Sequence, residues 1–74
     1  MIFDRKQVMK LKERYKEGMR VRLIKMDDVQ APSPGTEGTV LGVDDVGSVL
    51  MQWDNGCGLS IVPEEDEFEV IDII

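Results

Sequence analysis

The sequence predicts a mainly β fold: one domain over residues 1–74, built as an antiparallel five-stranded barrel with an N-terminal α-helix packed on it. Three observations carry this. Apolar and polar residues alternate at Val21/Leu23 and again at Val49/Met51/Trp53, the period-two pattern of half-buried strands. The stretch Gly35 to Gly56, GTEGTVLGVDDVGSVLMQWDNG, is punctuated by glycine and acidic residues at hairpin spacing. Helical spacing is confined to residues 5–16, which leaves 19–72 for the barrel.

The helix begins after Asp4, a good N-cap, with Gln7 three residues on as a capping box requires. Phe3 and Val8 are spaced as a hydrophobic staple. Val8, Leu11 and Tyr15 share a narrow apolar face, which must pack on the barrel because so short a helix is marginal alone. Lys6, Lys10 and Arg14 form a basic stripe elsewhere, and Met9 points away from the apolar face. Gly18 supplies the left-handed residue that ends the helix.

Strand one runs from about Met19 to Met26, with Val21 and Leu23 inward and Arg20 and Arg22 outward. Pro32 and Pro34 bar a central strand from the connection that follows. Strand two covers about Thr39 to Asp44, and strand three Ser48 to Trp53, joined by a short loop in which Gly47 accepts positive φ. Asn55-Gly56 is expected to form a type I′ turn with both residues left-handed. Strand four is placed at Gly58 to Val62, ended by Pro63. Glu64, Glu65, Asp66 and Glu67 then form a solvated turn before strand five at Phe68 to about Ile71. Five short strands with a long first loop and a late proline-containing turn suit a closed SH3-like barrel.

The charge divides sharply along the chain. Residues 1–25 hold all nine basic side chains and three acids, a net +6; residues 26–74 hold twelve acids and no base, a net −12. Such asymmetry points to an electrostatic partner or to one half docking on the other. The chain has no histidine and a single cysteine, Cys57, so it forms no internal disulfide and no cysteine-rich zinc site. A reducing cytoplasm fits this usage. No segment has the length of a membrane span, and MIFDRKQVMK lacks the apolar core of a signal peptide.

The residues Gly35-x-x-Gly38-x-Val40, Val43-Asp44-Asp45-x-Gly47, Trp53-Asp54-Asn55-Gly56, Leu59, Pro63 and Phe68 resemble a domain family of unknown function made of small bacterial and phage or mobile-element proteins. The preceding helix and the Met26-Asp27-Asp28-x-Gln30-Ala31-Pro32-x-Pro34-Gly35 loop fit the same pattern, so the resemblance spans nearly the whole chain. It implies an SH3-like or Tudor-like barrel in a mobile-element setting. The chain departs from the pattern at Cys57-Gly58, where two small polar residues are expected, and this leaves Cys57 without a family role.

Catalysis is not expected. Cys57 has no histidine to activate it, and its charged neighbours are acidic where an activated thiol needs basic ones. The carboxylate pairs Asp27-Asp28 and Asp44-Asp45 and the run Glu64 to Glu67 fall in loops expected to stay solvated, away from the dry pocket that acid–base work needs. They lack the spacing of a calcium loop, so neither a metal nor a cofactor is expected. The expected role is a non-enzymatic protein-binding or adaptor module, monomeric or weakly homodimeric through Ile71, Ile73 and Ile74. Its candidate binding residues are Asp27, Asp28, Asp44, Asp45, Asp54, Glu64, Glu65, Asp66, Glu67, Lys6, Lys10 and Arg14.

A second expectation is an acidic inhibitor that imitates nucleic acid and occupies a basic groove of a host defence protein, in the manner of anti-CRISPR proteins. In it, Asp44-Asp45 and the Glu64 to Glu67 turn share one end of the barrel, and Asp27-Asp28 and Asp54 the other. Alternatively, the acidic turns serve solubility and pair with Lys16, Arg20 and Arg22. A third expectation is weak nucleic-acid binding through Lys6, Lys10 and Arg14, which the surrounding acids oppose.

Overall fold

A computed structural model describes residues 4–72. One helix, α1 (Arg5–Arg14), precedes four strands: β1 (Arg20–Lys25), β2 (Glu37–Val43), β3 (Val49–Trp53) and β4 (Glu67–Asp72). The strands form one antiparallel sheet in the order β3-β2-β1-β4. The fold is therefore mainly β with an N-terminal helix, and its ladders leave the sheet unclosed.

The capping box forms as the sequence dictates. Asp4 Oδ1 accepts from the Gln7 amide at 2.9 Å, and Gln7 Oε1 accepts from the Asp4 amide at 3.0 Å. Phe3, the expected staple, lies outside the described residues, as do Ile73 and Ile74. The helix stops at Arg14, two residues short of the expected end. Tyr15 turns extended, with φ −115° and ψ 100°, and its ring is buried 5.5 Å from that of Phe68. Burying an aromatic ring outweighs two further helical residues. Gly18, with φ 94°, sits in the turn beyond, where its amide donates to the Val40 carbonyl.

Val21 and Leu23 of β1, Val40 of β2, and Val49, Met51 and Trp53 of β3 alternate inward and make the core together with Tyr15, Met19 and Ile61. Removing this apolar surface from water is the main favourable term of the fold. The Trp53 indole N–H donates to the Leu59 carbonyl at 2.8 Å, so the largest core side chain buries no unpaired polar atom.

The expected fourth strand, Gly58 to Val62, is reduced to a single bridge between Ile61 and Val49. Its physical cause is local. The Leu59 carbonyl is taken by the indole, and residues 57–60 run outside any ladder. The turn at Asn55-Gly56 also differs from expectation. Gly56 has φ 90°, but among the described residues no non-glycine takes positive φ, so Asn55 is not left-handed. The Gly56 amide donates to the Trp53 carbonyl and the Trp53 amide to the Cys57 carbonyl. The corner is a three-residue hairpin loop with glycine alone in the left-handed position. Gly47, with φ 87°, repeats this at the β2–β3 corner, where its amide donates to the Asp44 carbonyl and the Asp44 amide donates to the Ser48 carbonyl.

Candidate functional site: an acidic groove beside β4

The twelve residues expected to carry binding fall into three groups. Asp27, Asp28, Glu65 and Asp66 come together around a groove of about 400 Å³ that Met26, Leu59 and Val62 also line. Glu64 is exposed in the same turn, and Glu67 is not in the turn but opens β4, opposite Lys25.

This grouping corrects the expected one, which set the Glu64 to Glu67 turn beside Asp44-Asp45. β1 runs antiparallel to both β2 and β4. The end of β1 that leads into Asp27 therefore adjoins the start of β4, and the end of β2 that leads into Asp44 lies at the opposite side.

Two of the groove acids hold their own loops. Asp28 Oδ1 accepts from the Gln30 amide at 2.8 Å, and Asp66 Oδ2 accepts from the Val62 amide at 2.8 Å. The side chains of Asp27 and Glu65 make no hydrogen bond or ion pair among the described residues, and both residues are exposed. They are the two groove carboxylates left without a partner among the described residues. Among the described residues, no group of three His, Cys, Asp or Glu side chains is arranged to hold a metal ion.

The second group is engaged within the domain, by ion pairs at Asp54 and Asp45 and by backbone amides at Asp44. Arg20 donates to both carboxylate oxygens of Asp54, at 2.8 and 2.6 Å, and to Thr39 Oγ1 at 2.9 Å. Glu37 stands 3.5 Å from both Arg20 and Arg22, and Arg22 reaches Glu69 at 2.6 Å. Lys12 pairs with Asp45 at 3.1 Å. Asp44 Oδ1 is taken by the amides of Val46 and Ser48 at its own corner. Arg20 thus reaches Asp54 at a hairpin corner, whereas Arg22 pairs with the strand acids Glu37 and Glu69 instead of an acidic turn and Lys16 makes no ion pair among the described residues.

The third group is the helix stripe. Lys6, Lys10 and Arg14 are exposed on α1, with the Arg14 guanidinium 5.5 Å from the Tyr15 ring centre. Sequence reading missed Lys12 and Glu37 as charge partners. Their spacing from Asp45 and Arg20 is set by the sheet and by helix docking, not by local periodicity.

The bidentate bond from Arg20 holds the Asp54 carboxyl below its ordinary 3.8. A carboxyl depressed by folding binds its proton more readily when unfolded, so stability falls as pH drops through the folded value. The Asp54–Arg20 contribution is complete above pH 3.8 and disappears below it. Asp54→Asn should flatten the acid limb of an unfolding-against-pH curve while leaving its neutral limb parallel to wild type. A carboxyl NMR titration that put Asp54 at or above 3.8 would contradict this.

Among the described residues, no helix is long and apolar enough to cross a membrane. No curated protein and no solved structure matches the chain. Residues 4–71 match the family described as Domain of unknown function (DUF4314), and with nearly the whole chain covered the protein belongs to that family.

Proposed function

We propose that this domain is a non-enzymatic protein-binding module whose acidic groove takes a basic side chain of a partner protein. The observation that carries the reading is that Asp27 and Glu65, two exposed residues whose carboxylates have no partner among the described residues, line one groove together with the apolar Met26, Leu59 and Val62. A lysine or arginine suits such a site, because its aliphatic stem packs on apolar surface while its charge meets carboxylate. The fold reading that accompanies it is an SH3-like barrel left open on one side, with the Ile61–Val49 bridge standing in for its fourth strand.

A second reading is an acidic inhibitor that occupies a basic nucleic-acid groove on a host protein in a phage or mobile-element setting. It is supported by the acids at the groove, Asp27, Asp28, Glu64, Glu65 and Asp66, which form no ion pair among the described residues.

Both readings are tested with tagged domain as bait in nuclease-treated bacterial lysate, compared with the double variant Asp27→Lys, Glu65→Lys. Reversing two charges that face a cationic partner should weaken retention at least about tenfold at low salt, with the gap closing as salt rises. Retention unchanged in the variant, or a partner lost on nuclease treatment, would refute the groove reading. Competition between the domain and nucleic acid for the captured protein would select the inhibitor.

A further inference from the structure

We propose that the outer edge of β4 accepts, by backbone pairing, an extended segment of a partner protein in which basic and apolar residues alternate. This goes beyond the groove reading and concerns a different surface.

β4 is hydrogen-bonded to β1 on one side, and among the described residues no backbone bond from Glu67–Asp72 leads anywhere else. Alternate backbone groups of a strand point to opposite edges, so half of its amides and carbonyls face outward unpaired. Four of its six residues are exposed. Such an edge is a ready template for strand addition.

Charge decides which strand fits. β4 reads Glu-Phe-Glu-Val-Ile-Asp, and β1 reads Arg-Val-Arg-Leu-Ile-Lys. Their register sets Lys25 opposite Glu67, Arg22 opposite Glu69 and Arg20 opposite Asp72. Register shifts between Leu23 and Lys25 and between Arg20 and Val21 make this possible. An extra residue in each strand, Ile24 in β1 and Ile71 in β4, restores the alternation, so three acids line up with three bases on one face. β1 is thus a worked example of the strand that β4 selects.

Glu69 is already engaged by Arg22 at 2.6 Å, whereas Glu67 and Asp72 have no ion pair among the described residues. They remain to face a second basic strand. A second copy of β4 fits poorly, because centred antiparallel self-pairing sets Glu67 against Asp72, and like charges directly opposite are destabilising.

The test uses the full chain and an eight-residue peptide of alternating arginine and valine. Its controls are the same peptide N-methylated at its four central residues and an alternating glutamate and valine peptide. Amide hydrogen exchange, read residue by residue, should slow over Glu67–Asp72 with the first peptide and with neither control. The variant Glu67→Lys, Asp72→Lys should weaken peptide affinity about tenfold, as expected for two cross-strand pairs turned from attraction to repulsion. Its folding is checked by Trp53 fluorescence, and the peptide contrast does not depend on it.

Three results would overturn the proposal. Equal binding of the N-methylated peptide would mean charge attraction without strand pairing. Exchange slowed around residues 26–28 and 58–66 but not over 67–72 would place the peptide in the groove and leave that reading standing. Slow exchange over 67–72 in the chain alone, with a dimeric mass by light scattering, would give the edge to a second copy. Conversely, slowed exchange over 67–72 that persists in Asp27→Lys, Glu65→Lys supports the edge independently of the groove.

Discussion

Trp53→Ala is expected to cost about 3–5 kcal/mol, the range for deleting a fully buried large aromatic. Trp53 is 1% exposed and touches the centre of the core. A chain of this length has a total stability of roughly 4–11 kcal/mol, at 0.05–0.15 kcal/mol per residue. The variant should therefore lose at least about a quarter of that stability and, at the low end of the range, be unfolded at room temperature. Two losses combine in the substitution. The apolar volume goes, and so does the N–H that satisfies the Leu59 carbonyl and fixes the path of residues 57–60. Trp53→Phe separates them, since it keeps most of the volume and removes the bond. It should cost less than the alanine change but more than volume alone predicts, by about 1 kcal/mol for the hydrogen bond. Trp53 is the chain's one tryptophan, so denaturant curves must be followed by circular dichroism. A loss under about 1 kcal/mol for Trp53→Ala would mean the ring is not packed as described.

The second large effect is expected at Gly38. A Cβ placed there would stand 2.8 Å from the Trp53 ring, 3.0 Å from the Gln52 carbonyl oxygen and 3.1 Å from the Met51 methyl. The Met51 methyl is able to move; the backbone oxygen and the fully packed indole are not. β2 approaches β3 closely here because Gly38 and Trp53 are cross-strand partners, and the ring lies over the glycine. Overpacking of this kind costs about 1–3 kcal/mol. Gly58→Ala is the matched control. Nothing lies within 4 Å of its added carbon, and its φ is not in the left-handed region. That change should be neutral or slightly stabilising, by up to about 1 kcal/mol, through a less flexible unfolded chain. Equal midpoints for Gly38→Ala and Gly58→Ala would contradict the close approach.

These two residues also show what could be read in the sequence. Trp53 was legible as core because strand alternation is local: Val49 and Met51 sit four and two residues before it. The capping box of Asp4 and Gln7 was legible for the same reason. The buried face of β1 followed from Val21 and Leu23 alone. The close approach at Gly38 was not legible, since it depends on which residue of β3 lies opposite. Nor was the loss of the fourth strand, because the competition between ladder pairing and the Trp53 indole for the Leu59 carbonyl has no sequence signature. The site divides along the same line. That the acids sit in loops was readable; that Glu65 and Asp66 join Asp27 and Asp28 rather than Asp44 and Asp45 was not. That grouping follows from the antiparallel placement of β4 against β1, set by contacts more than forty positions apart, such as the 47 between Arg22 and Glu69.

The same placement sets a timetable for a chain leaving the ribosome. The β2–β3 hairpin draws on near neighbours and can form while synthesis continues, whereas α1, too short to stand alone, waits for β2 to dock on. β1 cannot be flanked on both sides until residues 67–72 have emerged, and pairings of such separation are slow to find. Until then one edge of β1 is bare beside Val21 and Leu23, which makes a nascent or prematurely stopped chain a substrate for chaperones and proteases. Adding β4 is thus also the step that withdraws β1 from that surveillance.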